Sequence, residues 1–221
     1  MKYIFLLVLV LIGFSCSRGY YNVTQNYYDY DEAYELVHKL TKGTLIVQIP
    51  CERRKIQLMT LLFEKEKNLI EKKRLKIELD EFKNKLLIVQ KTMISGTEKF
   101  YIYSKYAFVP DTLINDFKNG KRENIFIDSA LSFKKDISID TSNIIMFLRS
   151  LRDYDDLFIH KSDGKYPPRP FPYASTVPTR DFDRVDFDTK PISKDNTGIY
   201  KAIITINERL VGFYEYNKAP D

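Results

Sequence analysis

Residues 44–50 read TLIVQIP, an apolar run opened by Gly43 and closed by Pro50. Its shortness, its β-branched residues and its Gly and Pro boundaries predict a buried strand. Both flanks carry the helical period instead. Upstream, Asp29 or Asp31 stands where an N-cap belongs. Ala33, Leu36, Val37 and Leu40 then recur on one face up to about Thr41, with Gly43 as the stop. Downstream, residues 52–94 contain neither glycine nor proline and stay helical in pattern. A straight helix of those 43 residues would reach roughly 65 Å, more than the width of a domain this size. The apolar stripe also changes phase. Ile56, Met59, Phe63, Ile70 and Ile77 share one heptad register, while Leu75, Leu79, Phe82, Leu86, Val89 and Met93 keep another. A bend or break near Glu71 to Leu75 is therefore expected, with Phe63 and Phe82 buried against different neighbours.

Past Gly96 the period changes again. FYIYSKYAF (100–108) alternates as a strand does, DTLINDF (111–117) reads as a short helix, and NIFIDS (124–129) reads as a strand. IIMFLRS (144–150) and DLFIHKS (156–162) follow as strands, the second running into Asp163-Gly164, a turn signal. PPRPFPY (167–173) cannot be a central strand, since proline donates no ladder hydrogen bond. Residues 174–194 read as loop. Asp195 or Asn196 then opens a last helix with Ile199, Ala202, Ile203, Ile206, Leu210 and Phe213 on one face. There are no internal repeats. The expectation is an α/β fold: a single sheet of about five strands flanked by helices, with one long, bent helix after the first strand. The element order loosely resembles a thioredoxin-like core, although the long helix does not suit that family.

The N-terminus reads MKYIFLLVLVLIGFSC. Lys2 precedes an apolar run from Tyr3 to Phe14, whose twelve residues make roughly 18 Å of helix against a hydrocarbon core of about 30 Å. The run is too short to span and fits a secretory signal. Ser15 before Cys16 resembles the end of a bacterial lipoprotein signal, with Gly13 and Phe14 departing from that family's pattern. The resemblance implies a signal peptide over residues 1–15, removed in the mature chain. It also implies acylation of Cys16, palmitate-type chains holding the protein to a membrane, and a periplasm-facing place in the bacterial cell envelope. Cleavage after Ser15 without acylation is the rival reading, and an uncleaved anchor is a third. Residues 16–28 then form the anchor and tether, and 29–221 a single α/β domain.

Composition excludes some classes. The chain has 221 residues, is 44% hydrophobic and carries a formal net charge of +5. That supports a packed core, and the interspersed charges argue against a nucleic-acid partner. If Cys16 is acylated, Cys51 is a lone thiol; if not, a Cys16–Cys51 disulfide is open.

Cys51, in IPCERRK, is the one candidate for catalysis. A helix N-terminus with Arg53 and Arg54 nearby favours a thiolate, whereas burial beside Pro50 does the reverse. A thioredoxin-like enzyme would want a second cysteine at Arg54. RDFDRVDFD (180–188) offers four aspartates but lacks the glycine and distal glutamate of a calcium loop, and its arginines offset its charge. His38 and His160 have no zinc-like partner set, so no metal and no cofactor is expected. Asn22-Val23-Thr24 matches a glycosylation sequon of eukaryotic type, without meaning behind a bacterial signal. Pro167 and Pro170 frame a P-x-x-P. Together with Phe171 and Tyr173 it either presents a surface to an envelope-protein partner or packs as a rigid loop against the sheet. The leading expectation is a lipid-anchored envelope protein acting by binding or scaffolding. The alternatives are a thiol-dependent redox enzyme using Cys51, and an adaptor using the long helix as its partner surface.

Overall fold

The computed structural model describes residues 28–134, 137, 139, 144–150, 156–175 and 197–217. Within them the chain forms α1 (Tyr30–Lys42), β1 (Thr44–Ile49), α2 (Arg53–Lys65), α3 (Leu69–Phe100) and β2 (Lys105–Pro110). A 3-10 turn (Asp111–Leu113) leads into α4 (Ile114–Lys118), followed by β3 (Ile145–Ser150), β4 (Leu157–Lys161) and α5 (Thr197–Asn217). The strands form one sheet in the order β2-β1-β3-β4, with β1 parallel to both neighbours and β4 antiparallel to β3. Single bridges add Ile127 beside Phe108 at one edge and Ala174 beside Phe158 at the other. The fold is α/β, with a sheet of about the expected size flanked by helices and a long helix after the first strand.

β1 is central and, as its unbroken apolar run requires, buried on both sides. Leu45, Val47 and Ile49 face a layer built by α1, α3 and α5, whose contributions include Val37, Met93, Ile206 and Phe213. Ile46 faces the other way, with Ala107, Val109 and Phe147, onto Ile114 and Phe117 of α4 and the segment carrying Ile125 and Phe126. The molecule thus has three layers. The α5 face expected from periodicity is the face that is buried: Ile199, Ala202, Ile203, Ile206, Leu210 and Phe213 all join the core.

α1 begins as its sequence dictates, with the Asp29 carboxylate accepting from the Glu32 amide at 2.9 Å. It ends at Gly43, and there the missing Cβ is a packing requirement, since a Cβ would lie 2.4 Å from the Ile144 carbonyl oxygen.

Three boundaries differ from expectation. The long helical pattern breaks at residues 66–68, ahead of Glu71. Asn68 caps α3 by accepting from the Ile70 and Glu71 amides at 2.9 and 3.3 Å, and Glu66 accepts from the Asn68 amide at 2.7 Å. The Asn68-x-x-Glu71 spacing is the start signal that places the turn. Next, α3 runs through Gly96 to Phe100 and so delays β2 to Lys105. Gly96 is a close contact and not a stop: a Cβ there would meet Tyr200 and Ile203 of α5 at 2.7 Å. Finally, NIFIDS contributes only the Ile127 bridges, because the Asp128 carboxylate accepts from the Ala130 and Ser132 amides, both at 2.9 Å, and closes a turn.

Candidate functional site

The carboxyl ends of β1 and β2 lie side by side, with Ile49 opposite Pro110. Crevices at that end of parallel strands are where open α/β sheets bind ligands. Here the chain leaves β1 through Pro50 and Cys51 and enters α2 at Glu52, which adopts a left-handed φ of 47°. Gln90 of α3 pins this turn, its Nε2 donating to the Pro50 carbonyl at 2.7 Å. A cavity of about 390 Å³ opens between the two strand ends, with Cys51, Arg53, Gln90, Thr112, Leu113 and Phe133 among its walls.

Cys51 is half-buried there, and its Sγ donates weakly to the Ile49 carbonyl at 3.6 Å. Burial pushes the thiol up to about 11, and the carboxylate of Asp111 adds to the shift. Burial also raises Asp111 above the ordinary carboxyl range, while hydrogen bonds from Cys51 and Thr112 pull it partly back. The thiolate-favouring features expected at a helix start do not outweigh burial at this sulfur. Cys51 precedes the cap residue, and Arg53 and Arg54 are exposed. Burial is the larger cause and Asp111 the charged neighbour that adds to it. Nothing in sequence spacing points to Asp111, since β1 and β2 must pair before residues 51 and 111 meet.

The proline loop lies against the outer edge of β4. Its path is fixed by backbone bonds from the Ile159 amide to the Tyr173 carbonyl (2.6 Å) and from the Ser175 amide to the Leu157 carbonyl (3.0 Å). The Asp29 amide donates to the Arg169 carbonyl at 2.8 Å, tying the loop to the start of α1. Pro167, Pro170, Phe171 and Tyr173 are all buried. Of the two roles open to this loop, the geometry is that of packing. With Phe171 at 1% exposure, the four residues offer no face to an outside partner in this conformation.

His160 is 4% exposed and stacks on Phe147 with ring centroids 5.3 Å apart. Its Nδ1 donates to the Lys161 carbonyl at 2.8 Å, so its Nε2 is the acceptor for Gln48 Nε2 at 3.0 Å. That is a neutral imidazole with both nitrogens used, and burial pushes it down to about 4. His38 lies on the surface between the rings of Tyr34 and Tyr214. No cluster of three or more His, Cys, Asp or Glu fit to hold a metal occurs among the described residues. Cys16, the sequon at Asn22 and the aspartates of 180–188 lie outside them.

A second feature is the helix pair α2–α3. The two run antiparallel, with Lys55 over the Phe82 ring at 4.0 Å and Lys72 over the Phe63 ring at 5.2 Å. Phe63 and Phe82 thus lie on the two sides of a break under different lysines, but both are only half-buried, not buried as expected. Leu79 and Leu86 of α3 are buried and Leu75 and Phe82 half-buried, whereas α2 itself has no buried residue. Leu58, Leu61, Leu62, Leu69 and Ile70 are 47 to 82% exposed. The heptad register of Ile56, Met59 and Phe63 does not include these leucines. A helix apolar on more than one face was the available sign. Among the described residues no helix is long and apolar enough to cross a membrane.

The chain matches no known family, and no curated protein or solved structure is similar to it.

Proposed function

We propose that the protein is a lipid-anchored component of the bacterial cell envelope, acylated at Cys16, and that its α/β domain acts by binding or scaffolding. The membrane placement is carried by Cys16 after an apolar run too short to span. Acylation there also leaves Cys51 without a sulfur partner. Binding over catalysis is carried by one observation: the only thiol among the described residues is half-buried, faces Asp111 and is pushed up to about 11. A redox or nucleophilic cysteine needs the opposite shift.

A Cys16→Ser variant is expected to leave the membrane fraction and to take up no labelled fatty acid. An intact mass equal to unmodified residues 16–221 would overturn the anchor. For the domain, Cys51 is expected to alkylate slowly at neutral pH, and Cys51→Ala to keep the cellular role. The cavity of about 390 Å³ beside Cys51 is what a thiol-dependent enzyme would use. Fast alkylation together with loss of the phenotype in Cys51→Ala would establish that second reading.

A further inference from the structure

The α2–α3 hairpin projects from the domain. Leu69 lies twenty residues before Val89, the first residue of α3 to join the main core, which is roughly 30 Å of helix. At and near its tip, Leu58, Leu61, Leu62, Leu69 and Ile70 are exposed by 53, 47, 60, 82 and 82%. Leu58, Leu61 and Leu62 share one face of α2, three and four residues apart, and Arg54 and Lys65 flank them on that face. Contiguous apolar exposure of this kind marks an interaction surface.

Charge selects the occupant. From Glu52 to Glu78 the chain carries nine Lys and Arg against five Glu, a net +4 out of +5 for the whole protein. Arg74 is engaged with Glu71 and Glu78 at 2.8 and 3.1 Å. Arg53, Arg54, Lys65, Lys67, Lys73 and Lys76 are exposed and make no ion pair among the described residues. Two copies meeting tip to tip would bring like charge together, whereas an anionic bilayer satisfies both the leucines and the cations.

We propose that the hairpin tip is a membrane-docking element. Its leucines and Ile70 enter the headgroup region of an anionic phospholipid surface, and its unpaired cations face the lipid phosphates. This goes beyond the Cys16 anchor and stands whether or not Cys16 is acylated.

The chain contains no tryptophan, so one introduced indole reports its own surroundings. Full-length Leu69→Trp is to be compared with Ile102→Trp. Ile102 is 79% exposed and lies just past the far end of α3, so it controls for vesicle binding through the apolar N-terminus. On phosphatidylglycerol vesicles the indole at position 69 is expected to shift blue, to be quenched by brominated acyl chains and to be released by salt. The indole at position 102 is expected to stay water-like, and phosphatidylcholine to give no shift at either site. Adding Lys65→Glu, Lys67→Glu or Lys73→Glu, all at exposed sites, should weaken the position-69 signal roughly fivefold or more for each reversal.

Three results would overturn the proposal. An indole at 69 that stays water-like on anionic vesicles removes the membrane as occupant. A shift that needs no vesicles and grows with protein concentration assigns the surface to a second copy. A shift produced only by an added acidic protein assigns it to a protein partner.

Discussion

His160 and Gly43 show how far a single residue in this fold depends on its surroundings. The His160 imidazole is held neutral, at about 4 against an ordinary 6.5, because burial opposes its charge and Arg149 and Lys118 oppose it further. Between those two values the unfolded chain binds a proton that the native state excludes, so stability present above about 6.5 is lost as pH falls toward about 4. At about 1.4 kcal/mol per unit, the loss reaches up to about 3 kcal/mol. Urea unfolding followed through that window should show this slope in the wild type and a flatter one in His160→Gln; equal slopes would refute the assignment. At Gly43 the φ is −88°, which any residue adopts, so the glycine serves the close approach of Ile144. Gly43→Ala should therefore cost about 1–3 kcal/mol by overpacking against backbone. At Gly96 the neighbours are side chains, the Ile203 methyl end and the Tyr200 ring edge, and the helix gains propensity, so Gly96→Ala should cost less than a clash with backbone. Thermal melts of the two variants compare them directly.

At the scale of elements, the hairpin is the part least tied to the core. α2 buries none of its side chains and packs principally on α3, so its order depends on the turn at residues 66–68. Asn68→Ala removes a cap that accepts two amides and should cost about 1 kcal/mol. That loss should appear locally, as faster amide hydrogen exchange in α2 and the first turn of α3. The β1 and β3 amides, inside the three-layer core, should be unchanged. Faster exchange across β1 as well would mean that the hairpin and the sheet unfold as one unit. The other elements are cross-linked more closely. Asn207 of α5 accepts from the Ile102 and Tyr103 amides at 2.9 and 3.2 Å, fixing the passage from α3 into β2.

For the molecule as a whole, α5 is the element that completes the core. It lays Ile199, Ile203, Ile206, Leu210 and Phe213 over the sheet from the far end of the sequence. Five such side chains contribute on the order of 10 kcal/mol of apolar burial, comparable with the 5–15 kcal/mol net stability of a typical domain. A chain ending before Thr197 is expected not to fold, giving no cooperative thermal transition and binding a hydrophobic dye. Phe213→Ala should lower stability by about 3–5 kcal/mol while leaving the transition cooperative. A truncated chain with a sharp transition would show that α1, α3 and the sheet suffice.

What this sequence determined by itself is what neighbours along the chain determine. The strand character of TLIVQIP, the cap at Asp29, the end at Gly43 and the six-residue buried face of α5 all follow from period and local hydrogen bonding. Even the break before α3 is encoded locally, in Asn68-x-x-Glu71, a few residues ahead of the change in apolar phase. The position of Cys51 after β1 was legible too, but its chemistry was not. Burial raises a thiol whose own flanking arginines suggest the reverse, and Asp111, which adds to the shift, comes beside it only when β2 pairs with β1. The proline loop is packed into the core because β4 offered it an edge to lie along. Gln48 of β1 and His160 of β4 meet although they stand 112 positions apart in sequence. The leucines of α2 are bare because, among the described residues, no other element covers them. In each case the deciding term is desolvation or contact supplied from a distant part of the chain, which local sequence does not encode and only the packed structure provides.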